Sequence, residues 1–406
     1  MTALNPPVTP GWRERIVVYG CLLLLSNGLL SQMLASPSDP DGSPILRLIW
    51  PPVYLMGAVL VARSGVRFLR ASLGAIFLLA MVVLAGVSLI WSIMPEVTLR
   101  RVVAIAGTML FAVGFAARYS WFWLLRIIAS VYLTLALGSY VMATAFPAVG
   151  VMGDPHPGAW AGLWWEKNAL GSIMTTGVIA STSAAAIDRK LRAFWLVGAI
   201  LGFGLVILAT SRTSLLALTA CVGMAVLIWI IRRGPAIAIA TLWAGTAAAG
   251  GVIAFVALAP EAALGLIGRD MSLTGRADLW VVLAPMIEDR FATGFGYGAF
   301  WHAPDGPAVI VRRILDWPVP MAHNGWIEVL LGLGFGGVVL FALQCVYSLI
   351  MALRRLADRS IAPALWCTVM PLGFLMVSLS ESAIFQYHEL SWTLFVATAA
   401  KLALPD

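Results

Sequence analysis

AFWLVGAILGFGLVILATSRTSLLALTACVGMAVLIWII, residues 193–231, carries a single charge, Arg212. Two apolar runs, 193–209 and 213–231, flank the turn TSRTS, and each is close to the ~20 residues that an α-helix needs to cross a bilayer. Outward from there the whole chain keeps the same character: of 406 residues 61% are hydrophobic and 11% charged, with a mean hydropathy of +0.93. Such a composition cannot cover the water-exposed surface of soluble domains of that length. The chain therefore reads as an all-α polytopic integral membrane protein. The formal net charge of +7 does not make it a nucleic-acid binder, because Lys and Arg collect in the cytoplasmic loops of membrane proteins. Cys21, Cys221, Cys345 and Cys367 all lie in apolar runs without metal-ligand spacing, so no metal site or disulfide framework is expected.

Twelve apolar runs can be read as spans, at 16–35, 45–62, 71–93, 102–117, 121–143, 167–187, 193–209, 213–231, 235–258, 326–350, 361–380 and 390–404. With both ends cytoplasmic, the inner loops carry Arg13 and Arg15, Arg63, Arg67 and Arg70, Arg118, the Arg189–Arg192 cluster, Arg232 and Arg233, Arg354, Arg355 and Arg359, and Lys401. The opposite orientation would send these clusters outward, against the positive-inside rule. The first run is followed by a polar loop and a second span and lacks a small-x-small cleavage site, so it reads as an anchor. Three regions result: helices 1–9 over 1–258, a periplasmic loop or lid over 259–325, and helices 10–12 over 326–406.

That topology places His156, His302, His323 and His388 all on the outer face. The long outer loop contains two amphipathic pieces, 277–290 and 307–316, and is too aromatic for a disordered linker; it is expected to fold back on the membrane surface. No repeat of 20–50 residues is visible, nor any matched pair of broken spans in the two halves, which weakens a transporter reading.

Five stretches could carry chemistry. In GDPHPGAWAGLWWEKNALG, 153–171, Lys167 and Asn168 stand at a helix mouth where they could bind an anionic head group or a sugar hydroxyl; Trp160, Trp164 and Trp165 fit either sugar stacking or an interfacial belt. In TSRTS, 210–214, Arg212 is either a snorkelling anchor or, among hydroxyls, a phosphate-oxygen ligand. In SLTGRADLW, 272–280, Thr274 is an expected N-cap and Arg276 adds a cation at a helix start; an ordinary solvated arginine is the alternative. GFGYGAF, 294–300, follows no strand, so it is read as a tight turn rather than a nucleotide loop. In AHNGWIEVLLGLGFGG, 322–337, His323 is followed by Asn324 and, one turn on, Glu328; an imidazole at the outer edge is a natural general base. Glu381 and His388 could support it.

Taken together, WEKNALG, SRTS, TGRADLW, GFGYGAFW and AHNGWIEVLLGLGFGG, in that order over about 165–340, resemble the O-antigen ligase-related superfamily, which includes O-antigen ligases and exopolysaccharide repeat-unit polymerases. The last two segments look most like the polymerase branch. The resemblance implies a glycosyltransferase of the bacterial inner membrane that needs no metal or other cofactor. It would take a glycan from undecaprenyl diphosphate at the periplasmic face and pass it to an acceptor glycan, either lipid-linked or lipid A core. It further implies that Arg212 and Arg276 hold the diphosphate and that His323 is the base; Lys167, Asn168, Asn324 and Glu328 are expected as substrate contacts from the reading of their own stretches. Arg312 and Arg313 match no motif. The chemistry is coherent: a diphosphate leaves well once cations stabilise its charge, and a single displacement inverts the anomeric centre. A twelve-helix transporter or flippase is the more remote alternative.

Overall fold

A computed structural model describes residues 9–34, 48–258, 276–356 and 361–405. Apart from one bridge between Val151 and Trp160, the regular elements among them are helices. Seven of these are long and apolar enough to cross a membrane: Pro95–Arg118, Trp121–Ala145, Lys167–Ile187, Arg189–Leu208, Arg212–Ile231, Gly325–Arg355 and Ile361–Ser378. An eighth crossing arises if the bent pair Pro51–Ser64 and Val66–Gly74 is one span, and Ile76–Ile90 and Leu390–Leu402 are shorter apolar helices. The chain is a multi-pass membrane protein. Thr274 and the rest of 259–275 lie outside the described residues.

Lys167–Ile187 is the central post, packed against Trp121–Ala145, Arg192–Leu208, Arg212–Ile231 and Ile361–Ser378. Its buried face is built of small residues, among them Gly171, Thr175, Gly177, Ala180, Ser181 and Ala184, which let helix backbones approach where no hydrophobic drive operates. Similarly Gly57 admits Pro95–Arg118: a Cβ there would stand 2.8 Å from Phe111 N. Leu390–Leu402 is buried all round, packed on Pro95–Arg118 and Val66–Gly74. Its Lys401 directs Nζ to the Tyr119 carbonyl at 2.7 Å.

Three expected spans depart from the sequence expectation: the 16–35 run is broken at Asn27 (φ +49°) between Trp12–Leu25 and Leu29–Leu34, and two further departures follow. The basic stretch after residue 62, expected as a loop, is the helix Val66–Gly74, turned by 115° from Pro51–Ser64 at Gly65, whose φ is +52°. It is amphipathic: Val66, Leu69 and Leu73 face outward, while Arg67 is buried with Nε donating to the Ala117 carbonyl at 3.0 Å. The last departure is a break within Gly325–Arg355, expected as continuous, at Gly334 (φ +66°, ψ −164°). The freed backbone groups are satisfied by the 291–301 loop. Phe295 N donates to the Leu331 carbonyl and Phe335 N to the Phe291 carbonyl, each at 2.7 Å. A broken membrane helix persists where protein supplies such partners.

The two amphipathic pieces of the long loop are the helices Arg276–Asp289 and Pro307–Leu315. They pack on each other and share a small core of their own, with Leu279, Leu283, Phe300, Val311 and Val319 buried together. Glycines set the path between them: Gly294, Gly296 and Gly298 all have positive φ, and a Cβ on Gly294 would meet Gly334 N at 2.7 Å.

Candidate active site

Beneath this small core lies a cavity of about 1140 Å³. Its walls come from the first helix end (Ser26, Asn27), the start of Pro51–Ser64 (Trp50, Tyr54), the start of Pro95–Arg118, the 297–302 and 317–323 stretches, and the 381–391 segment. Four of its wall residues, Asn27, His323, Phe385 and His388, hold left-handed backbone with φ between +49° and +58°. Non-glycine residues adopt that conformation at a cost of order 1 kcal/mol or more, and such positions cluster where a site is held in shape.

His323 follows the cavity wall segment Trp317–Met321 and precedes the helix Gly325–Arg355. Asn324 caps that helix, its Oδ1 accepting from Trp326 N at 2.9 Å and Ile327 N at 3.2 Å, and its Nδ2 donates to the Leu379 carbonyl at 3.1 Å. The imidazole, 8% exposed, stacks on Trp317 with ring centres 5.7 Å apart. Its Nδ1 stands 3.7 Å from Glu381 Oε2, and neither ring nitrogen makes a hydrogen bond. Glu381 is held from the other side by Arg276, whose Nη2 donates to Oε1 at 2.9 Å. Arg276, Glu381 and His323 thus form one line of ionisable groups at the wall.

Glu328 lines the cavity one turn below. It accepts from Ala322 N at 2.6 Å, from Trp301 Nε1 at 3.1 Å and from Ser382 Oγ at 3.2 Å. This carboxylate therefore ties together the segment before His323, the glycine-rich loop and the segment after Glu381. Arg312 is likewise a tie, donating to the carbonyls of Val319 and Trp301 at 3.0 Å.

The other sequence candidates form a second group. Asn168 Oδ1 accepts from Ser211 Oγ at 2.9 Å, and Ser211 caps the helix that Arg212 begins. Lys167 feels the charge of Arg212. Lys167, Asn168 and Arg212 are brought together, but the cavity wall next to them is made by Trp164, Trp165, Glu166 and Ala169 instead. Arg276 also stands behind the wall, reaching it through Glu381.

A third group surrounds His388, which the sequence offered only as a possible support for His323; its partners Trp50, Tyr54 and Asn27, and the neighbouring Glu389, were missed. His388 stacks on Trp50 at 3.8 Å between ring centres, its Nε2 hydrogen-bonds the Tyr54 hydroxyl, and its carbonyl accepts from Asn27 Nδ2 at 2.7 Å. Beside it burial pushes the Glu389 carboxyl up to about 7, against hydrogen bonds from Asn27 and Ser391 that favour the charged form. Across the cavity Arg101 reaches His302 and Gly298. These partners are 201 or more residues apart for the side-chain pairs, so no local motif announces them.

A family model described as O-antigen ligase matches residues 197–342, a stretch that includes Arg212, Arg276, His323, Asn324 and Glu328. The chain is also 26% identical over 269 residues to the exopolysaccharide production protein ExoQ of Rhizobium meliloti (strain 1021), an alignment covering 62% of this chain. The chain thus spans 61% of the length of that curated relative.

Proposed function

On the premise of a chain similar to the O-antigen ligase-related superfamily, we propose that this protein is a membrane glycan transferase. It takes an oligo- or polysaccharide from undecaprenyl diphosphate and joins it to a sugar hydroxyl of an acceptor. The observation that carries the reading is His323, a buried imidazole in a cavity wall with both nitrogens unengaged and a carboxylate beside it.

In the proposed step the acceptor hydroxyl gives its proton to an imidazole nitrogen of His323 while its oxygen attacks the anomeric carbon. The bond from that carbon to the diphosphate oxygen breaks, and undecaprenyl diphosphate leaves with the electron pair. One displacement inverts the configuration. Glu381 stabilises the imidazolium as it forms, and Arg276 holds Glu381 in place and adds positive potential on the side where the leaving group's charge develops. Arg212, with Lys167 and Asn168 beside it, receives the diphosphate outside the wall of Trp164 and Trp165. Asn324 and Glu328 fix the segments that carry His323 and Trp301. No metal is assigned a part.

We place the cavity toward the periplasm, with twelve crossings and both ends in the cytoplasm of an inner-membrane protein. Support comes from the polarity of individual helices. Pro51–Ser64 starts at the cavity with Trp50 and Tyr54 and ends at Arg63; Pro95–Arg118 starts there with Arg100 and Arg101 and ends at Arg118. Arg63 and Arg118 both bind Glu14, at 2.8 and 3.0 Å, so the basic ends gather away from the cavity as the positive-inside rule asks of a cytoplasmic face.

Repeat-unit polymerisation is favoured by the relative's name, exopolysaccharide production protein; transfer to lipid A core is the second reading, favoured by the description of the family model. Reconstituting the purified protein with undecaprenyl-diphosphate-linked repeat units, with and without lipid A core, separates them. A ladder from donor alone establishes a polymerase, and glycan only on lipid A core establishes a ligase. Unaltered donor in every lane refutes both.

A further inference from the structure

Two octapeptides of this chain share one pattern, Trp-x-x-Arg-Ile-x-x and then a hydroxyl residue: WRERIVVY at 12–19 and WLLRIIAS at 123–130. Each lies at the start of a helix, Trp12–Leu25 or Trp121–Ala145, and the spacing i, i+3, i+4, i+7 puts its four defining residues on one helix face. The two helices pack on each other, and those eight residues line a second cavity, of about 310 Å³, between them. It lies at the basic end of the bundle, at the opposite end of the first helix from Ser26 and Asn27 in the active-site wall. Deeper along the pair, Tyr19 Oη and Thr134 Oγ1, 2.6 Å apart, tie the helices together.

Because both helices start at this end, the cavity is graded: indoles at the mouth, two guanidinium groups a turn in, then isoleucines and a hydroxyl. Trp123 gathers both cations, with the guanidinium carbon of Arg15 4.0 Å and that of Arg126 5.1 Å from its ring centre. Like charges held around one ring repel, and they are only partly offset. Asp188 takes Arg126 at 3.2 Å, and it also accepts from Trp195 Nε1 and Leu191 N, each at 3.3 Å. Arg15 makes no ion pair among the described residues, and its Nε is buried without a hydrogen bond. Its neighbour Glu14 lies on the buried side of the helix, bound by Arg63 and Arg118. Exposed Arg13, 5.4 Å from the Trp12 ring centre, adds a further cation. Trp12 and Ile16 are more than half exposed, so the flank of the cavity stands open where lipid would lie.

From this we propose that the groove between Trp12–Leu25 and Trp121–Ala145 binds one anionic phospholipid. The headgroup phosphate lies between Arg15 and Arg126, and an acyl chain runs along Ile16 and Ile127. Basic pockets between membrane helices take such headgroups. Cations at the mouth with apolar walls beneath match a phosphodiester that carries acyl chains, whereas a soluble anion has no use for the lower half. The inference is independent of the transferase reading; only the leaflet, the cytoplasmic one, rests on the orientation proposed above.

The probes are dioleoyl phosphatidylglycerol and dioleoyl phosphatidylcholine, titrated into delipidated full-length protein in detergent, with bound complexes counted by native mass spectrometry. A single phosphatidylglycerol is expected to bind more tightly than phosphatidylcholine. R15Q, which keeps a donor amide but not the charge, is expected to weaken that binding about fivefold, the weight of one arginine near an anionic headgroup. I16W, at an exposed position, fills the groove without altering a charge and is expected to weaken binding likewise. R354Q removes an exposed arginine from the same end of the bundle and should leave binding unchanged. Equal binding of the two lipids overturns the proposal, as does wild-type affinity in R15Q, or in I16W where R15Q does not fold. Equal weakening in R15Q and R354Q overturns it too, because the attraction then belongs to the whole basic face. Displacement of phosphatidylglycerol by millimolar inorganic phosphate would make the ligand a soluble anion and overturn the lipid assignment.

Discussion

Replacing Glu381 by glutamine removes one charge from the line Arg276–Glu381–His323 while keeping its volume. During transfer His323 becomes an imidazolium, and the carboxylate oxygen 3.7 Å from Nδ1 is the group placed to stabilise it. Two unit charges at that distance attract by about 4.5 kcal/mol at an effective dielectric of 20. Glu381 is 20% exposed and shares its charge with Arg276, which reduces the differential effect to about 2–3 kcal/mol. At ~1.4 kcal/mol per decade that is a loss of roughly 30- to 150-fold in kcat. KM for the donor should change little, since the interaction develops only with the charge. The assay is the initial rate of glycan transfer by detergent-purified protein, with size-exclusion profile and melting temperature recorded on the same preparation. Folded Glu381→Gln protein retaining more than about half of the wild-type kcat would refute the role given to Glu381. It would also leave His323 without a partner for its positive charge.

Three further outcomes can be checked. Because the Glu389 carboxyl is raised to about 7 in the folded chain from its usual 4.5, the folded state holds the proton more tightly; stability from this group is highest at acid pH and falls between about pH 4.5 and 7. The melting temperature should therefore decline over that window in the wild type and less in Glu389→Gln, and equal slopes would contradict it. Gly334→Ala forces a side chain into φ +66°, ψ −164° and puts Cβ 2.6 Å from Thr293 N. With backbone strain of about 1–3 kcal/mol and two loop hydrogen bonds of about 1 kcal/mol each at risk, both stability and activity should drop, seen as faster proteolysis at 291–301. Dialysis against a chelator should leave the transfer rate unchanged, and restoration of a lost rate by one divalent metal would overturn the metal-free scheme.

Much of the bundle was readable from hydropathy. The helices at 167–187 and 212–231 start and stop within a residue of the apolar runs, because Glu166 and Ser211 are polar helix entrances and charged clusters close the other ends. His323 and Glu328 were legible from AHNGWIE because the helix cap and the first turn are local. Glu381 was readable as a possible support for His323, and its joint hold on Arg276 and His323 required the fold. The bends at Gly65 and Gly334 were not legible, since an apolar run looks the same whether straight or broken. Nor was the place of Arg101 in the cavity wall: its contacts run to Gly298, His302 and Tyr387, three positions far along the chain that say nothing of each other in sequence.

The join between the broken helix and the glycine-rich loop contains no side chain at its closest point. Gly294 and Gly334 meet backbone to backbone, and each would place a Cβ in the other's main chain or its neighbours. A misfit between two side chains can be repaired by shrinking one as the other grows. Here both partners already have nothing left to remove, so no second substitution can compensate for the first. The two positions, 40 residues apart, are expected to act in inheritance as a single locus, tolerant of change in everything around them and of almost none in themselves. Saturation mutagenesis of both would display this as two empty columns in an otherwise permissive apolar helix and loop.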